Sequence, residues 1–276
     1  MPDIRLIALD LDGTLLNSKK ELTDRNRAAL ERAVAAGIWV VPSTGRFFGG
    51  MPAFIQDLPF VRYAITINGA QVFDRITGEH VYGAEIPVEE AVRVMAFLDD
   101  YPVIYDCYKD DWGVMTAAMR DKSAEFAPND HYFRMLTDLR RPVPELKAYL
   151  QETGGGVQKI QLFAKEIPLR DALMEKLKEA FPDLAITSSV VNNAEINHAR
   201  ATKGEALRAL AAHLGLDISQ TAAFGDGTND IAMLEAAGLG IAMENAADLT
   251  KAAADAIAPS CDDDGVARFL EEQLHI

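Results

Sequence analysis

Residues 4–14 read IRLIALDLDGT, an apolar run that ends at two acidic residues and a glycine. A short apolar run is typical of a buried strand in a parallel sheet, so residues 4–9 are predicted to form one. The next segment, residues 23–36, is rich in Ala, Leu, Arg and Glu and stops at Gly37, as a glycine-capped helix does. Residues 38–41 form a second apolar run. Strand, helix and strand together predict a right-handed βαβ unit.

The alternation of strands and helices breaks after this unit and returns towards the C-terminus. Residues 83–191 mix helical, strand-like, aromatic and acidic segments, which indicates a separate α+β module. From residue 192 the alternation resumes, with a predicted helix over residues 203–214 and a predicted strand over 221–224. The sequence therefore predicts a doubly wound α/β core, residues 1–82 and 192–276, with residues 83–191 inserted into it.

The composition is that of an ordinary globular protein with a strong acidic excess. The 276 residues are 49% hydrophobic and 25% charged, and the formal net charge is −15. This charge argues against binding to nucleic acid or to an anionic membrane surface. No stretch approaches the roughly 20 apolar residues that span a bilayer, and the two cysteines form no disulfide framework, so a cytoplasmic protein is expected. An anionic ligand would need a metal ion or well-placed basic residues in its site.

Two acidic residues follow the first predicted strand. Asp10 and Asp12 are two positions apart, so on an extended chain both carboxylates face the same side while Leu11 turns back to the core. Two acids on one side can hold a cation or divide the roles of a reaction between them. Taken alone, the pair also fits two solvated turn residues.

A second acidic pair follows a later predicted strand. Asp226 and Asp230 lie beside Gly225 and Gly227, which allow the backbone to approach a ligand closely. Carboxylates of this kind suit Mg²⁺, an ion that takes few carboxylates and keeps waters or substrate phosphate oxygens as its other ligands. The alternative is a glycine turn in which Asp230 caps the following helix.

Two further strand or helix ends carry groups that suit a phosphate. Thr44 and Gly45 end the second strand with a hydroxyl and a backbone N–H that can donate to a phosphoryl oxygen. Thr202 and Glu205 form a predicted capping box, which places Lys203 in the first turn of a helix. There the positive helix end and the ammonium group both favour an anion. An ordinary turn and a solvated lysine are the alternatives when each motif stands alone.

The combination is more informative than any single motif. Four carboxylates, a Thr-Gly pair and a lysine all follow strand ends or begin a helix, in an order that an open α/β sheet would bring together. The metal and the lysine would also overcome the repulsion between an acidic protein and an anionic ligand. We therefore predict a site for phosphoryl transfer.

The order of these motifs resembles the haloacid dehalogenase superfamily of phosphatases. More narrowly it is similar to the Cof-type branch, subclass IIB, which has a Rossmann-like core and a large α/β cap inserted between the second and third motifs. The matching segments are residues 10–14 (DLDGT), 43–46 (STGR), 67–70 (INGA), 203–204 (KG), 225–230 (GDGTND), 242–246 (AMENA) and 264–267 (DGVA). The resemblance therefore implies a core in residues 1–82 and 192–276 and a cap in residues 83–191.

The resemblance also implies a role for each motif residue. Asp10 would be the nucleophile that becomes a transient aspartyl-phosphate, and Asp12 would protonate the leaving alcohol and then activate water. Mg²⁺ would be held by four aspartates, with Asp12 acting through its carbonyl and Asp230 directly or through water: Asp10, Asp12, Asp226 and Asp230. The transferring phosphoryl group would be held by Leu11, Thr44, Gly45, Lys203 and Asn229. Arg46 would contact the substrate or the cap.

The reaction implied is hydrolysis of a small phosphorylated metabolite, a sugar phosphate or a similar phosphomonoester. Two alternatives stay open: a phosphomutase of the same superfamily, and a noncatalytic protein that binds a phosphorylated ligand. The presence of both Asp10 and Asp12 favours an enzyme, because a binding protein has no need of an acid/base beside a nucleophile. The sequence allows either a monomer or a homodimer.

Overall fold

The structure, a computed structural model, describes residues 3–276 apart from the side chain of His131. The chain forms two compact units. The first unit consists of the residues up to Gly83 together with Ala201–Ile276, and the second unit consists of Ala84–Arg200.

The structure contains the following strands and α-helices. The strands are β1 (Leu6–Leu9), β2 (Trp39–Pro42), β3 (Tyr63–Thr66), β4 (Gln71–Asp74), β5 (His80–Gly83), β6 (Ile86–Pro87), β7 (Val103–Lys109), β8 (Trp112–Thr116), β9 (Arg140–Val143), β10 (Gly156–Val157), β11 (Lys159–Ala164), β12 (Leu184–Thr187), β13 (Asn193–His198), β14 (Thr221–Gly225), β15 (Leu239–Met243) and β16 (Ala256–Ala258). The α-helices are α1 (Asp24–Ala35), α2 (Ala53–Gln56), α3 (Val88–Leu98), α4 (Ala117–Asp121), α5 (Ser123–Phe126), α6 (Asp130–Asp138), α7 (Leu146–Thr153), α8 (Ile167–Ala180), α9 (Lys203–His213), α10 (Ile231–Ala236), α11 (Asp248–Ala252) and α12 (Gly265–Gln273). Among the described residues, no helix combines the length and apolar character that crossing a membrane requires.

A five-stranded parallel sheet in the order β16-β15-β14-β1-β2 is the centre of the first unit. Strand β1 lies between β2 and β14, so that Leu6 is opposite both Trp39 and Thr221. Strands from the two ends of the sequence therefore lie side by side. Strands β3, β4 and β5 form a separate antiparallel sheet in the same unit.

Helices cover both faces of the parallel sheet. Leu9 of β1 packs in one apolar cluster with Leu30 of α1 and Leu270 of α12. Its neighbour Ala8 points the other way and packs in a second cluster with Leu207 of α9. Because neither face meets water, the strands are almost entirely apolar, which is the pattern the sequence showed. The predicted doubly wound α/β fold is confirmed.

The second unit has a different architecture. Its main sheet has the order β12-β13-β11-β7-β8-β9 and is antiparallel except for the pair β8 and β9. One face of this sheet packs on helices, with Ile160 and Ile196 in the same apolar cluster as Leu98, Leu150 and Leu173. It is the α+β module that the sequence predicted within the core.

The second unit extends further along the chain than residue 191. Strand β13 pairs with β11 and β12, and Ile196 lies opposite both Ile160 and Ile186. The prediction had placed residues 193–198 in the core. Residues 193–198 read NAEINH, a pattern that does not assign the segment to either sheet, and only the pairing with distant strands decides between them.

Candidate active site

The polar residues that follow β1, β2 and β14 lie at one edge of the parallel sheet. These three strands are adjacent and run in the same direction, so their carboxyl ends meet. The backbone N–H of Asp10 donates to the carbonyl of Phe224 at 3.0 Å, and that of Ser43 donates to Leu9 at 2.7 Å. This is the edge at which open α/β sheets place their ligands.

Three carboxylates form a cluster at this edge. One oxygen from each of Asp10, Asp226 and Asp230 lies within 4.8 Å of the others, so the three could hold a metal ion together. Asp10 and Asp230 are almost completely buried, with 7% and 1% of their surface exposed. The set consists only of hard oxygen donors, which fits Mg²⁺.

A fully buried lysine neutralises part of this charge. Lys203 Nζ donates to Asp10 Oδ1 at 2.7 Å and to Asp230 Oδ1 at 2.6 Å. Lys203 is the first residue of α9, where the Thr202 hydroxyl accepts a hydrogen bond from the Glu205 N–H. The predicted helix start is therefore present.

Close helix packing fixes the position of this lysine. A Cβ on Gly204 would lie 2.2 Å from the carbonyl oxygen of Ala232 in α10. A Cβ on Gly69, whose φ is +89°, would lie 2.2 Å from the carbonyl oxygen of Thr202. Any larger side chain at these two positions would push the start of α9 away from the carboxylates.

Burial makes two acids of the cluster, Asp10 and Asp226, weak in the absence of a cation. It raises the pKa of Asp10 to about 8, with Asp230 and Asp226 adding to the rise and Lys203 opposing it. Burial likewise raises the pKa of Asp226 to about 6, although the hydrogen bond from Thr14 opposes the rise. Raised carboxylate pKa values at clustered acids mark a site that gains stability when a cation binds.

Asp230 also closes the loop that carries Asp226. Its Oδ2 atom accepts hydrogen bonds from the N–H groups of Asp226, at 3.0 Å, and Gly227, at 2.9 Å. Because Oδ1 is bonded to Lys203, both oxygens of Asp230 have protein partners. Asp230 therefore contributes negative charge to the cluster and holds the loop in place.

Asp12 lies outside the three-carboxylate cluster and is held by two basic side chains. Arg46 donates from Nε to Oδ2 at 3.0 Å and from Nη2 to Oδ1 at 3.1 Å. Lys20 Nζ lies 3.0 Å from Oδ1. Burial acts to raise the pKa of Asp12, but Arg46 and Lys20 outweigh it, so this pKa lies below its ordinary value. The sequence suggested only a substrate or cap contact for Arg46, and it did not single out Lys20.

The remaining predicted phosphate ligands lie around the same strand ends. Thr44 is 2% exposed, and its hydroxyl accepts a hydrogen bond from the Arg46 N–H at 3.3 Å. Asn229 Nδ2 donates to Asn68 Oδ1 at 3.2 Å, and a Cβ on Gly45 would lie 2.7 Å from that same oxygen. Asn68 therefore contacts Asn229 and lies against Gly45, two of the predicted phosphate ligands. The side chain of Leu11 is fully buried, as predicted.

Sequence reasoning missed the residues that hold the Asp10–Thr14 loop. The Thr14 hydroxyl donates to Asp226 Oδ1 at 2.9 Å, and Asn245 Nδ2 donates to the carbonyl oxygen of Gly13 at 2.8 Å. Gly13 has a φ of +99°, and a Cβ there would lie 2.5 Å from Asp226 Oδ2. Thr14 and Asn245 both stand in segments that match the family pattern, which was the available signal.

Comparison with known proteins gives a consistent result over the whole chain. A family model described as haloacid dehalogenase-like hydrolase matches residues 7–270. Phosphatase YwpJ of Bacillus subtilis is 31% identical over 98% of this chain and 100% of its own length. The 5-amino-6-(5-phospho-D-ribitylamino)uracil phosphatase YwtE of the same organism is 32% identical over 98% of both chains. A solved structure of a haloacid dehalogenase-like hydrolase from B. subtilis has a TM-score of 0.82 and 29% identity, covering 98% of this chain and all of the other.

Proposed function

Because this chain belongs to the haloacid dehalogenase-like hydrolases, we propose that Asp10 is its nucleophile and Mg²⁺ its cofactor. The chain is a phosphatase of the Cof type that acts on phosphorylated small molecules. The substrate proposed is a sugar phosphate or a similar phosphomonoester. The relative YwtE is named for a substrate of this kind, a phosphorylated ribitylamino compound. The observation that carries the proposal is the buried Lys203, bonded to both Asp10 and Asp230 beside Asp226.

In the first step a carboxylate oxygen of Asp10 forms a bond to phosphorus while the bond from phosphorus to the ester oxygen breaks. Asp12 gives a proton to that oxygen, and the alcohol leaves. Lys203 holds the Asp10 carboxylate in place through Oδ1. When bound by Asp10, Asp226 and the loop around them, Mg²⁺ would offset the negative charge of the phosphoryl group.

In the second step Asp12 takes a proton from water, whose oxygen attacks phosphorus and releases inorganic phosphate from Asp10. The contacts of Asp12 with Arg46 and Lys20 favour its ionised form, which is the form that accepts this proton. To donate a proton in the first step, Asp12 must be protonated. Its ion pairs with Arg46 and Lys20 must therefore loosen when the substrate binds. Thr44, the Gly45 backbone and Asn229 would position the phosphoryl oxygens.

Phosphate release tests the proposal directly. The protein should release inorganic phosphate from at least one member of a panel of sugar phosphates, alditol phosphates, pyridoxal phosphate and an aryl phosphate. The release should require Mg²⁺ and stop when a chelator is added. A phosphorylated isomer formed without free phosphate would instead identify a mutase. No reaction with any member, by folded protein that binds Mg²⁺, would count against an enzyme.

Mg²⁺ affinity should rise steeply with pH. In the metal-free protein, Asp10 has a pKa of about 8 and Asp226 a pKa of about 6, so protons occupy the proposed ligands in acid solution. Each protonated ligand must lose its proton first, which weakens binding by about tenfold for every pH unit below its pKa. The apparent dissociation constant should therefore fall by about 100-fold between pH 6 and pH 8. Calorimetric titration in buffers of different ionisation enthalpy would measure both affinity and proton release. A constant affinity over this range would contradict the assignment of the ligands.

A further inference from the structure

The loop that joins β3 to β4 has a left-handed backbone. Ile67, Asn68 and Gly69 follow one another with φ values of +53°, +57° and +89°. Glycine and asparagine tolerate this conformation, but for a β-branched residue such as isoleucine it is a strained outlier. Backbone strain of this kind persists only where the surrounding contacts impose it, and it is concentrated at functional sites. We call residues 67–69 the left-handed loop.

Backbone hydrogen bonds tie the left-handed loop to the segment that follows β2. The N–H of Asn68 donates to the carbonyl oxygen of Thr44 at 3.1 Å, and that of Ile67 donates to the carbonyl oxygen of Arg46 at 2.9 Å. The side chain of Ile67 is fully buried, which anchors the loop further. The loop therefore fixes the path of the backbone on both sides of Gly45.

The side chain of Asn68 lies where two of the proposed phosphate ligands meet. Its Oδ1 atom accepts a hydrogen bond from Asn229 Nδ2 at 3.2 Å. A Cβ on Gly45 would lie 2.7 Å from the same oxygen, so this glycine approaches Asn68 closely. Gly69 packs just as closely against Thr202, at the start of α9. The left-handed loop therefore contacts three segments that carry proposed phosphate ligands.

The hydrogen bond from Asn229 to Asn68 selects one orientation of the Asn229 amide. An amide has a nitrogen that donates and an oxygen that accepts, and only the nitrogen suits a phosphoryl oxygen. Asn229 is exposed, and an exposed amide without a partner would sample both orientations. Because Asn68 Oδ1 is an acceptor, it holds the nitrogen of Asn229 beside Gly45. That nitrogen carries two N–H groups, so one can donate to Asn68 while the other donates to a phosphoryl oxygen.

We propose that Asn68 is a positioning residue for phosphoryl transfer, which turns the amide of Asn229 towards the phosphoryl group held at Gly45. The inference rests on the phosphatase function proposed above. Donors that are fixed before the substrate arrives need no reorganisation during the reaction, and this lowers the barrier. The strain at Ile67 is then explained, because the left-handed loop carries the Asn68 side chain to the place where Asn229 and Gly45 meet.

Two substitutions of Asn68 separate positioning from a purely structural role. Asn68→Gly and Asn68→Ala both remove the oxygen that accepts from Asn229, but glycine fits a left-handed backbone and alanine does not. The alanine variant should therefore melt at a lower temperature than the glycine variant. Both should nevertheless lower kcat/KM by the same factor, about 10-fold, for the panel substrate that the wild type hydrolyses fastest. Thermal unfolding and phosphate release at saturating Mg²⁺ measure the two quantities.

A double-mutant cycle with Asn229→Ala tests whether Asn68 acts through Asn229. If it does, adding Asn68→Gly to Asn229→Ala should lower kcat/KM by less than about threefold further, because the amide to be oriented is already gone. Inhibition by inorganic phosphate gives a readout besides turnover, and its inhibition constant should rise by about 3- to 10-fold in Asn68→Gly. The affinity for Mg²⁺ should stay within about twofold of the wild type, because the three carboxylates are unchanged.

Asn129→Gly is the matched control. It makes the same substitution at an exposed position of the second unit, where asparagine caps α6 and glycine is nearly as good a cap. This variant should keep the wild-type kcat/KM and the wild-type inhibition by phosphate.

The possible outcomes separate this inference from the function on which it rests. Wild-type kcat/KM in Asn68→Gly would overturn the inference. So would a loss that follows the melting temperatures of the two Asn68 variants, or a loss that is undiminished when Asn229 is already alanine. Each of these results leaves the phosphatase function intact, because the wild type still releases phosphate. If the wild type releases no phosphate from any panel member, the proposed function is overturned and this inference with it.

Discussion

Replacing Asp10 with asparagine is expected to abolish phosphate release, lowering kcat by about 10,000-fold or more. The substitution keeps the size of the side chain, but an amide oxygen is a poor nucleophile and cannot form an acyl phosphate as a carboxylate does. The measurement is steady-state phosphate release at saturating Mg²⁺, with any substrate that the wild-type protein hydrolyses. Turnover at the wild-type rate would remove Asp10 from the mechanism.

The same variant should stay folded and should tolerate alkaline pH better than the wild type when no metal is present. Burial raises the pKa of Asp10 from 3.8 to about 8, so the folded wild type keeps a proton that the unfolded chain releases. The stability of the wild type therefore falls as pH rises between about 4 and 8. The Asp10→Asn variant should not lose stability in this way, because asparagine has no proton to release. Thermal unfolding with a chelator from pH 5 to 8.5 would show it. Asp57→Asn, at an exposed position, is the control and should match the wild type in both assays.

Replacing Lys203 with methionine is expected to damage both stability and turnover. Its buried Nζ is shared by Asp10 and Asp230, at 2.7 and 2.6 Å. Removing one partner of a buried ion pair destabilises a protein by about 3–5 kcal/mol, because the other partner keeps its desolvation cost. For a protein of this size the melting temperature should fall by about 10 °C. Phosphate release should fall by at least about 100-fold, since a positive charge beside the reacting carboxylate is lost.

Mg²⁺ should restore part of the stability that Lys203→Met loses. The ion would replace the missing positive charge among the three carboxylates, so it should raise the melting temperature of the variant more than that of the wild type. The loss should also be larger at pH 8.5 than at pH 6, where Asp10 is protonated. Lys251→Met, which removes a partly exposed lysine, is the control and should change neither quantity. If Lys203→Met had the same melting temperature and the same turnover as the wild type, the role assigned to this lysine would be contradicted.

The acidic residues of the site were accessible from the sequence because each one follows a recognisable apolar strand. Asp10 and Asp226 directly follow β1 and β14, and these neighbouring parallel strands bring their carboxyl ends together. Lys203 was accessible for a similar reason, since the capping-box pattern of Thr202 and Glu205 predicts a helix start from local sequence, and Thr202 is the N-cap.

The contacts of Asp12 were not accessible in this way. Arg46 and Lys20 reach Asp12 from two different loops, and nothing in the local pattern of either loop indicates an ion pair. The buried ion pairs of the second unit, Arg140 with Asp106 and Lys159 with Glu195, are a similar case. Their charged residues come from β7, β9, β11 and β13, and Gly113 matters only because Arg140 passes over it.

By itself the sequence determined the doubly wound core, the inserted α+β module and the position of the acidic motifs at strand ends. These features depend on short-range patterns: the apolar runs, the helix caps and the order of strands and helices. Only the tertiary structure decided that β13 belongs to the second unit and that Lys203 bridges Asp10 and Asp230. It also decided that the pKa values of Asp10 and Asp226 are raised and that of Asp12 is lowered. Asp10 and Lys203 are 193 residues apart, and burial and ion pairing depend on distances between atoms that only the folded chain brings together.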